Sequence, residues 1–365
     1  MSDFLTELRR EVTAAHTAYR RHGRLRRLAH TLWRPGPFLG AVAAAVALLA
    51  LVVGVGWFRT PEPTGGPRVL GVVNAGGNPV DGAFHAGSLW VADVRGGRVV
   101  GIDPARRRVR SRIPLRGAPS AISAGGGGLW VRTWRSGGDR RTDVWRIDTG
   151  TEQIAARATT GWGWATAVGP DAVWAAKTEV PPEGIDRIDA RTAGRTLVAG
   201  VPHVYGLAAT GGAVWALMGD GTVVQANART GRVLHRWPQL AVSNPDVDNE
   251  NSIVADDRGG AWVLGSGMGV QTLLVRVEGD AITQRHRLDP GTLQAVTSAF
   301  GAVWITSRPE ARAPYRLLRL DPATGLTTGG VELGLHRPVA LVPTGDKLCV
   351  VGSDGTVVVV DPGKD

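Results

Sequence analysis

The chain has 365 residues, a formal charge of +10, 51 glycines and one cysteine. That length suits one large repeat domain or two ordinary ones. The lone Cys349 excludes an internal disulfide and a cysteine-based zinc site, and the abundance of Gly favours short strands joined by tight turns over helices.

Residues 1–36 carry eight arginines against Asp3, Glu7 and Glu11, about +5 of the total. Leu5, Leu8, Val12, Ala15 and Tyr19 fall on one stripe of a helix. The pattern predicts a basic cytoplasmic tail that rests on anionic lipid or docks a cytoplasmic partner. No nucleic-acid-reading module accompanies the charge, so nucleic acid is not the expected partner. Residues 37–58 follow as a transmembrane helix, with an unbroken apolar run over Phe38–Phe58 and Trp33 and Trp57 near its ends. The arginine excess before the span places the N-terminus in the cytoplasm and everything after it outside, on a single-pass anchor of the cell membrane. Residues 59–67 (RTPEPTGGP) form a Pro/Gly-rich linker that cannot hold a helix.

From Arg68 onward one phrase recurs: a small residue, Gly, Leu or Val, Trp, then an apolar residue. It places Trp90, Trp130, Trp174, Trp215, Trp262 and Trp304 at equivalent positions, and Cys349 stands at the seventh. The spacings are 40, 44, 41, 47, 42 and 45 residues. Each unit reads as four short strands, with a turn after the third written IDPARR, IDTGTE, IDARTAGR, ANARTGR, LDPATG or VDPGKD. There Asp or Asn caps the backbone and a following Gly takes the positive φ. Four-stranded units at this period predict an all-β fold, a seven-bladed β-propeller over residues 68–365. The last unit supplies only three strands, and Arg68–Asn74 is a spare strand before the first. Pairing of that spare strand with the strand containing Thr356–Val360 closes the ring without a free edge. The repeated Trp then packs between neighbouring blades.

Over Arg68–Asp361 the chain resembles the YVTN-type seven-bladed propellers, a group that takes in virginiamycin-B-lyase-like proteins. The resemblance rests on the (Leu/Val)-Trp-(Val/Ala) strand and the IDP-x-TG turn. In the lyase branch it implies a metal-dependent ring-opening elimination using His and Glu at a propeller face. That His/Glu set is not assignable on this sequence.

In an antiparallel blade, the loops from first to second and third to fourth strand share one face, where the turns here are short and uniform. The opposite face carries loops that vary in length and content, and such loops gather binding residues. On that face the sequence places Trp134, Arg135, Trp162, Trp164, His203, Tyr205, Arg308, Tyr315, His336 and Arg337. Aromatic and arginine anchors suit a protein, peptide or glycan ligand. A weak calcium pattern, Asp246, Asp248 and Glu250, lacks the glycine of a calcium loop. Otherwise no cofactor or catalytic motif is visible. The leading expectation is a binding, sensor or scaffold ectodomain. A metal-dependent lyase or hydrolase and a polyanion- or DNA-binding propeller are the alternatives.

Overall fold

The computed structural model describes residues 65–135, 141–178, 182–240, 252–266, 272–288, 292–310 and 312–363. The tail, the apolar run over Phe38–Phe58 and residues 59–64 of the linker lie outside these residues. Among the described residues, no helix is long and apolar enough to cross a membrane.

The described chain is all β, with 28 strands in seven four-stranded antiparallel sheets. The first strand, β1 (Arg68–Asn74), stands apart in sequence from the blade it completes. Blade 1 is β2 (Pro79–His85), β3 (Ser88–Asp93), β4 (Arg98–Asp103) and β5 (Arg108–Pro114). Blade 2 is β6 (Ala118–Gly125), β7 (Gly128–Trp134), β8 (Arg141–Asp148) and β9 (Gln153–Gly161). Blade 3 is β10 (Thr166–Val168), β11 (Ala172–Lys177), β12 (Gly184–Asp189) and β13 (Arg195–Ala199). Blade 4 is β14 (Val204–Ala209), β15 (Ala213–Met218), β16 (Val223–Asn227) and β17 (Val233–Trp237). Blade 5 is β18 (Ile253–Ala255), β19 (Ala261–Ser266), β20 (Thr272–Glu278) and β21 (Ala281–Leu288). Blade 6 is β22 (Thr292–Ala299), β23 (Ala302–Arg308), β24 (Tyr315–Leu320) and β25 (Thr327–Leu333). Blade 7 is β26 (Pro338–Thr344), β27 (Lys347–Gly352) and β28 (Thr356–Asp361), with β1 as its outer strand.

The expected closure is present. Strand β1 pairs antiparallel with β28, Arg68 opposite Asp361 and Asn74 opposite Thr356. Each inner strand contacts the inner strand of the next blade, and β26 contacts β2 to complete the ring.

Burial explains the sequence pattern. The second strand of a blade is covered on both faces by its neighbours, so β3 (SLWVAD) is buried throughout. The outer strand has one wet face, so β5 alternates and β21 (AITQRHRL) is mostly exposed. Each repeat Trp shares a core cluster with the following blade. Trp90 sits with Ile122, Leu129 and Val131, Trp130 with Val173 and Ile188, and Trp174 with Leu207 and Val214. Trp215 sits with Val263 and Val275, Trp262 with Val303 and Ile305, and Trp304 with Leu348 and Val350. Cys349 fills the corresponding place between blades 7 and 1, with Leu89 and Val91. Burial there pushes its thiol up to about 11.

The third strand adds a partner that the repeat phrase does not announce. Opposite the Trp stand Arg146, Arg187, Arg276 and Arg319 in blades 2, 3, 5 and 6. Arg187 and Arg319 lie over the rings of Trp174 and Trp304, at 5.9 and 6.0 Å. Arg146, Arg187 and Arg276 reach the turn before the Trp strand, at Gly127 O, Asp171 and Asp256. In blade 1 the same place is Gly101, where a Cβ would lie 2.8 Å from the Trp90 ring.

The turns after the third strand are capped as expected, with one correction. Asp103, Asp148, Asp189, Asn227, Asp321 and Asp361 each accept backbone N–H bonds from the residues just beyond. The positive φ falls four residues after the cap, at Gly231 and Gly325 but also at Arg107, Glu152 and Ala193. Gly is therefore not the only residue in that position, because the cap already fixes the turn.

Candidate ligand-binding face

The loops from second to third strand, and from one blade to the next, all end on one face, here called upper. Trp134 ends β7, and Trp162 and Trp164 lie in the loop between blades 2 and 3. The fold brings these three together. Trp134 and Trp162 stack with centroids 5.5 Å apart and planes 15° apart. Trp164 stands edge-on to both, at 5.0 and 5.7 Å. All three are half-buried.

A residue that the sequence reading passed over holds the cluster's loop in place. Arg132 on β7 is fully buried. Its guanidinium donates to Gly161 O (2.7 Å), Ala176 O (2.7 Å), Ala165 O (3.1 Å) and Thr142 Oγ1 (3.1 Å). The planar fork thus ties both ends of the 161–165 loop to β8 and β11. The backbone adds Thr178 N to Trp162 O (2.7 Å) and Ala176 N to Ala165 O (3.0 Å). Gly163, between the two tryptophans, is pressed on β11 so closely that a Cβ would lie 2.3 Å from Ala176 O. The signal for Arg132 was available: it is a cation inside a strand, GLWVRTW, whose residues are otherwise almost all apolar or small.

Beside the cluster, Asp143 is 3% exposed and accepts four bonds from three residues. Arg135 binds it through two nitrogens, at 3.0 and 2.8 Å, with Arg157 Nη2 at 2.9 Å and Thr159 Oγ1 at 2.9 Å. Burial pushes this carboxyl upward, but the bonds from Arg135, Thr159 and Arg157 outweigh it and hold it below the usual range. Arg135 is therefore engaged within the fold.

Two of the other sequence candidates, His203 and Arg337, occupy a repeated position just before an inner strand. Asn78, Trp162, His203 and Arg337 each accept a backbone N–H through their carbonyl, from Val94, Thr178, Gly219 and Ser353. Those donors stand four residues beyond the repeat position of blades 1, 3, 4 and 7. Trp162 and His203 thus neighbour each other by blade. The exposed His203 has φ +50°, and its amide donates to Glu183 Oε2 (3.2 Å) while its ring Nδ1 lies 3.5 Å from the same oxygen. Tyr205, 37% exposed, lies on Gly219, where a Cβ would come within 2.5 Å of its ring. His336 is exposed and its amide donates to Asp354 (3.3 Å). Arg337 donates to Gln294 Oε1 at 3.0 Å. Tyr315 is only 5% exposed and belongs to the core between blades 6 and 7, with Arg308 stacked over its ring at 4.8 Å. It offers a ligand little surface. Asp246, Asp248 and Glu250 lie outside the described residues. Among those described, no group of three or more His, Cys, Asp or Glu is placed to hold a metal ion.

Below the mouth runs a channel of about 300 Å³, lined by the inner strands of blades 1–5. Its wall is built of small residues, including Gly82, Ala83, Ala121 and Ala167, with Asp81 as its one ionisable side chain among the described residues. Asp81 Oδ1 accepts from its neighbour Gly82 N (2.7 Å) and Oδ2 from Ile122 N of blade 2 (2.9 Å). Burial pushes the carboxyl up to about 7, against the two amides that pull it down.

No protein-family model matches the chain, and no curated protein matches it. Among solved structures, the chain is similar to hydrazine synthase of Kuenenia stuttgartiensis, with a TM-score of 0.63 and 15% identity over 79% of this chain and 96% of that one. At that identity the likeness shows the propeller fold alone. In all, 1360 solved chains match, so the architecture by itself selects no activity.

Proposed function

We propose that the chain is a single-pass membrane-anchored propeller of YVTN-like type, whose extracytoplasmic upper face binds a protein, peptide or glycan as a sensor or scaffold. The observation that carries this reading is the Trp134–Trp162–Trp164 cluster. Rings 5.0–5.7 Å apart fill one another's space, so they form a platform and not a cage for a cation. Rigid indoles offer apolar contact area with little rotamer entropy to lose, which is what interface anchors need. Tyr205 and His203 extend the aromatic surface around the mouth. The anchor rests on the Phe38–Phe58 run and the arginines before it.

The rival readings find less support. His203 and Glu183 are a His/Glu pair, but among the described residues no third ligand joins them, and Glu183 also caps the His203 amide. Arg135, Arg308 and Arg337 are engaged by Asp143, the Tyr315 ring and Gln294, which argues against a free arginine stripe for a polyanion.

The test is to screen the full chain and its Trp164→Ala variant on peptide and glycan arrays. The expected result is a ligand retained by the parent and lost by the variant at an unchanged melting temperature. A ligand held equally by both would remove the cluster from the site. Protease added to intact spheroplasts should digest the propeller, and full protection would overturn the orientation.

A further inference from the structure

The channel carries a second site, independent of the upper face. We propose that it binds a small primary ammonium ion, whose N–H groups bond the Asp81 carboxylate.

Three observations lead there. The first is chemical isolation: Asp81 is the sole ionisable lining group among the described residues, on a wall of Ala, Gly, Ile, Leu and Val with Ser123 and Thr166. A carboxylate in such surroundings is costly without a counter-charge. Two amide bonds offset part of that cost and leave each oxygen a further lone pair. The second is space. About 300 Å³ is roughly ten times the share of one water in the liquid, so the channel admits a small organic molecule. The third is the donor set. One carboxylate on the lining supplies too few oxygens for a divalent cation, which takes six or more, but it suits an N–H donor.

Among the described residues, no neighbouring cation already serves Asp81. On its own strand His85 lies four residues on, toward the lower face. Strands β6, β10, β18 and β26 carry no ionisable residue, and β14 carries only Tyr205, at the upper end. Asp93 at the end of β3 pairs with Arg98. Arg132 of β7 bonds Thr142 and the blade-3 side. On β27, Lys347 pairs with Asp346, and Cys349 is packed in the core between blades 7 and 1.

The experiment is a pH titration of the Asp81 carboxyl by ¹³C NMR in the aspartate-labelled full chain, with Asp81→Asn identifying the resonance. The probes are methylammonium chloride, tetramethylammonium chloride and sodium chloride at equal concentration. Methylammonium should lower the midpoint from about 7 by about one unit or more, and the other two should not. Calorimetry on the parent chain needs no variant: methylammonium affinity should rise about tenfold between about pH 6 and about pH 8, as the carboxyl ionises. A midpoint unmoved by methylammonium, an equal shift with sodium or tetramethylammonium, or a pH-independent affinity would each overturn the site and leave the channel to water.

Discussion

The two faces of this propeller are built by different means. On the lower face, the turns that close the outer hairpins satisfy themselves: an Asp or Asn carboxyl or amide oxygen takes the N–H groups two and three residues on. On the upper face, the loop between blades 2 and 3 is held from a distance by Arg132, which reaches strands of two blades. A turn that caps itself repeats with every unit and leaves little freedom for chemistry. A loop anchored by a neighbour's side chain is free to carry varied residues, here Trp162 and Trp164.

That contrast can be broken most sharply at Arg132. Replacing it by Met keeps the apolar bulk but removes its four bonds, leaving Gly161 O with only the Thr142 hydroxyl and Ala165 O with only the Ala176 amide, at about 3 kcal/mol. The lower-face counterpart, Asn227→Ala, removes one local cap and should cost about 1 kcal/mol. Urea unfolding of both variants measures the ratio. Equal effects would mean that the upper loop holds itself.

The next effect in size sets two carboxylates of opposite shift against each other. Asp81 has a folded pKa raised from 3.8 to about 7, so its contribution to stability is fully present below about pH 4 and is lost as the pH rises to about 7. A gap of about three units corresponds to ~4 kcal/mol at full burial, and channel water reaching the half-buried side chain reduces this to about half. Asp143 has the opposite sign: its folded pKa is depressed, so its contribution is present above the unfolded value and is lost as the pH falls through the folded one. Melting temperatures of the parent, Asp81→Asn and Asp143→Asn across this range should show slopes lost in opposite directions. Parallel profiles for both variants would contradict the assignment.

The smallest effect is on the lower face. Glu152 and Ala193 hold φ of +58° and +57°, where Gly231 and Gly325 stand in blades 4 and 6. Ala193→Gly should be neutral to stabilising by up to about 1 kcal/mol, because relief of the left-handed strain offsets the added freedom of the unfolded chain. A loss of more than about 1 kcal/mol would show that the cap does not set the turn.

The sequence carried the architecture because seven units repeat the same solution. The Trp phrase fixed the blade count, and the spare strand Arg68–Asn74 with its partner Thr356–Asp361 could be read from strand bookkeeping alone. The site was legible only in part. Trp134, Trp162 and Trp164 stood out as tryptophans beyond the repeat, and they do meet. Tyr315 was expected at the surface because it follows a polar loop, yet it points into the core, since strand alternation and not loop proximity decides facing. Arg132 and Asp81 act through contacts with residues of the next blade, 41 or more positions away in sequence. No local pattern encodes such pairings.

The tryptophan cluster acting as one contact surface is the centre of the proposed upper-face site. The direct measurement is ¹⁹F NMR of the full chain labelled with 5-fluorotryptophan, with Trp134, Trp162 and Trp164 assigned by single Trp→Phe variants, titrated with the ligand recovered from the arrays. The predicted result is that these three resonances shift together on binding, while those of Trp90, Trp130, Trp174, Trp215, Trp262 and Trp304, buried between blades, stay in place. A ligand that saturates the protein and leaves all three unmoved would contradict the upper-face site.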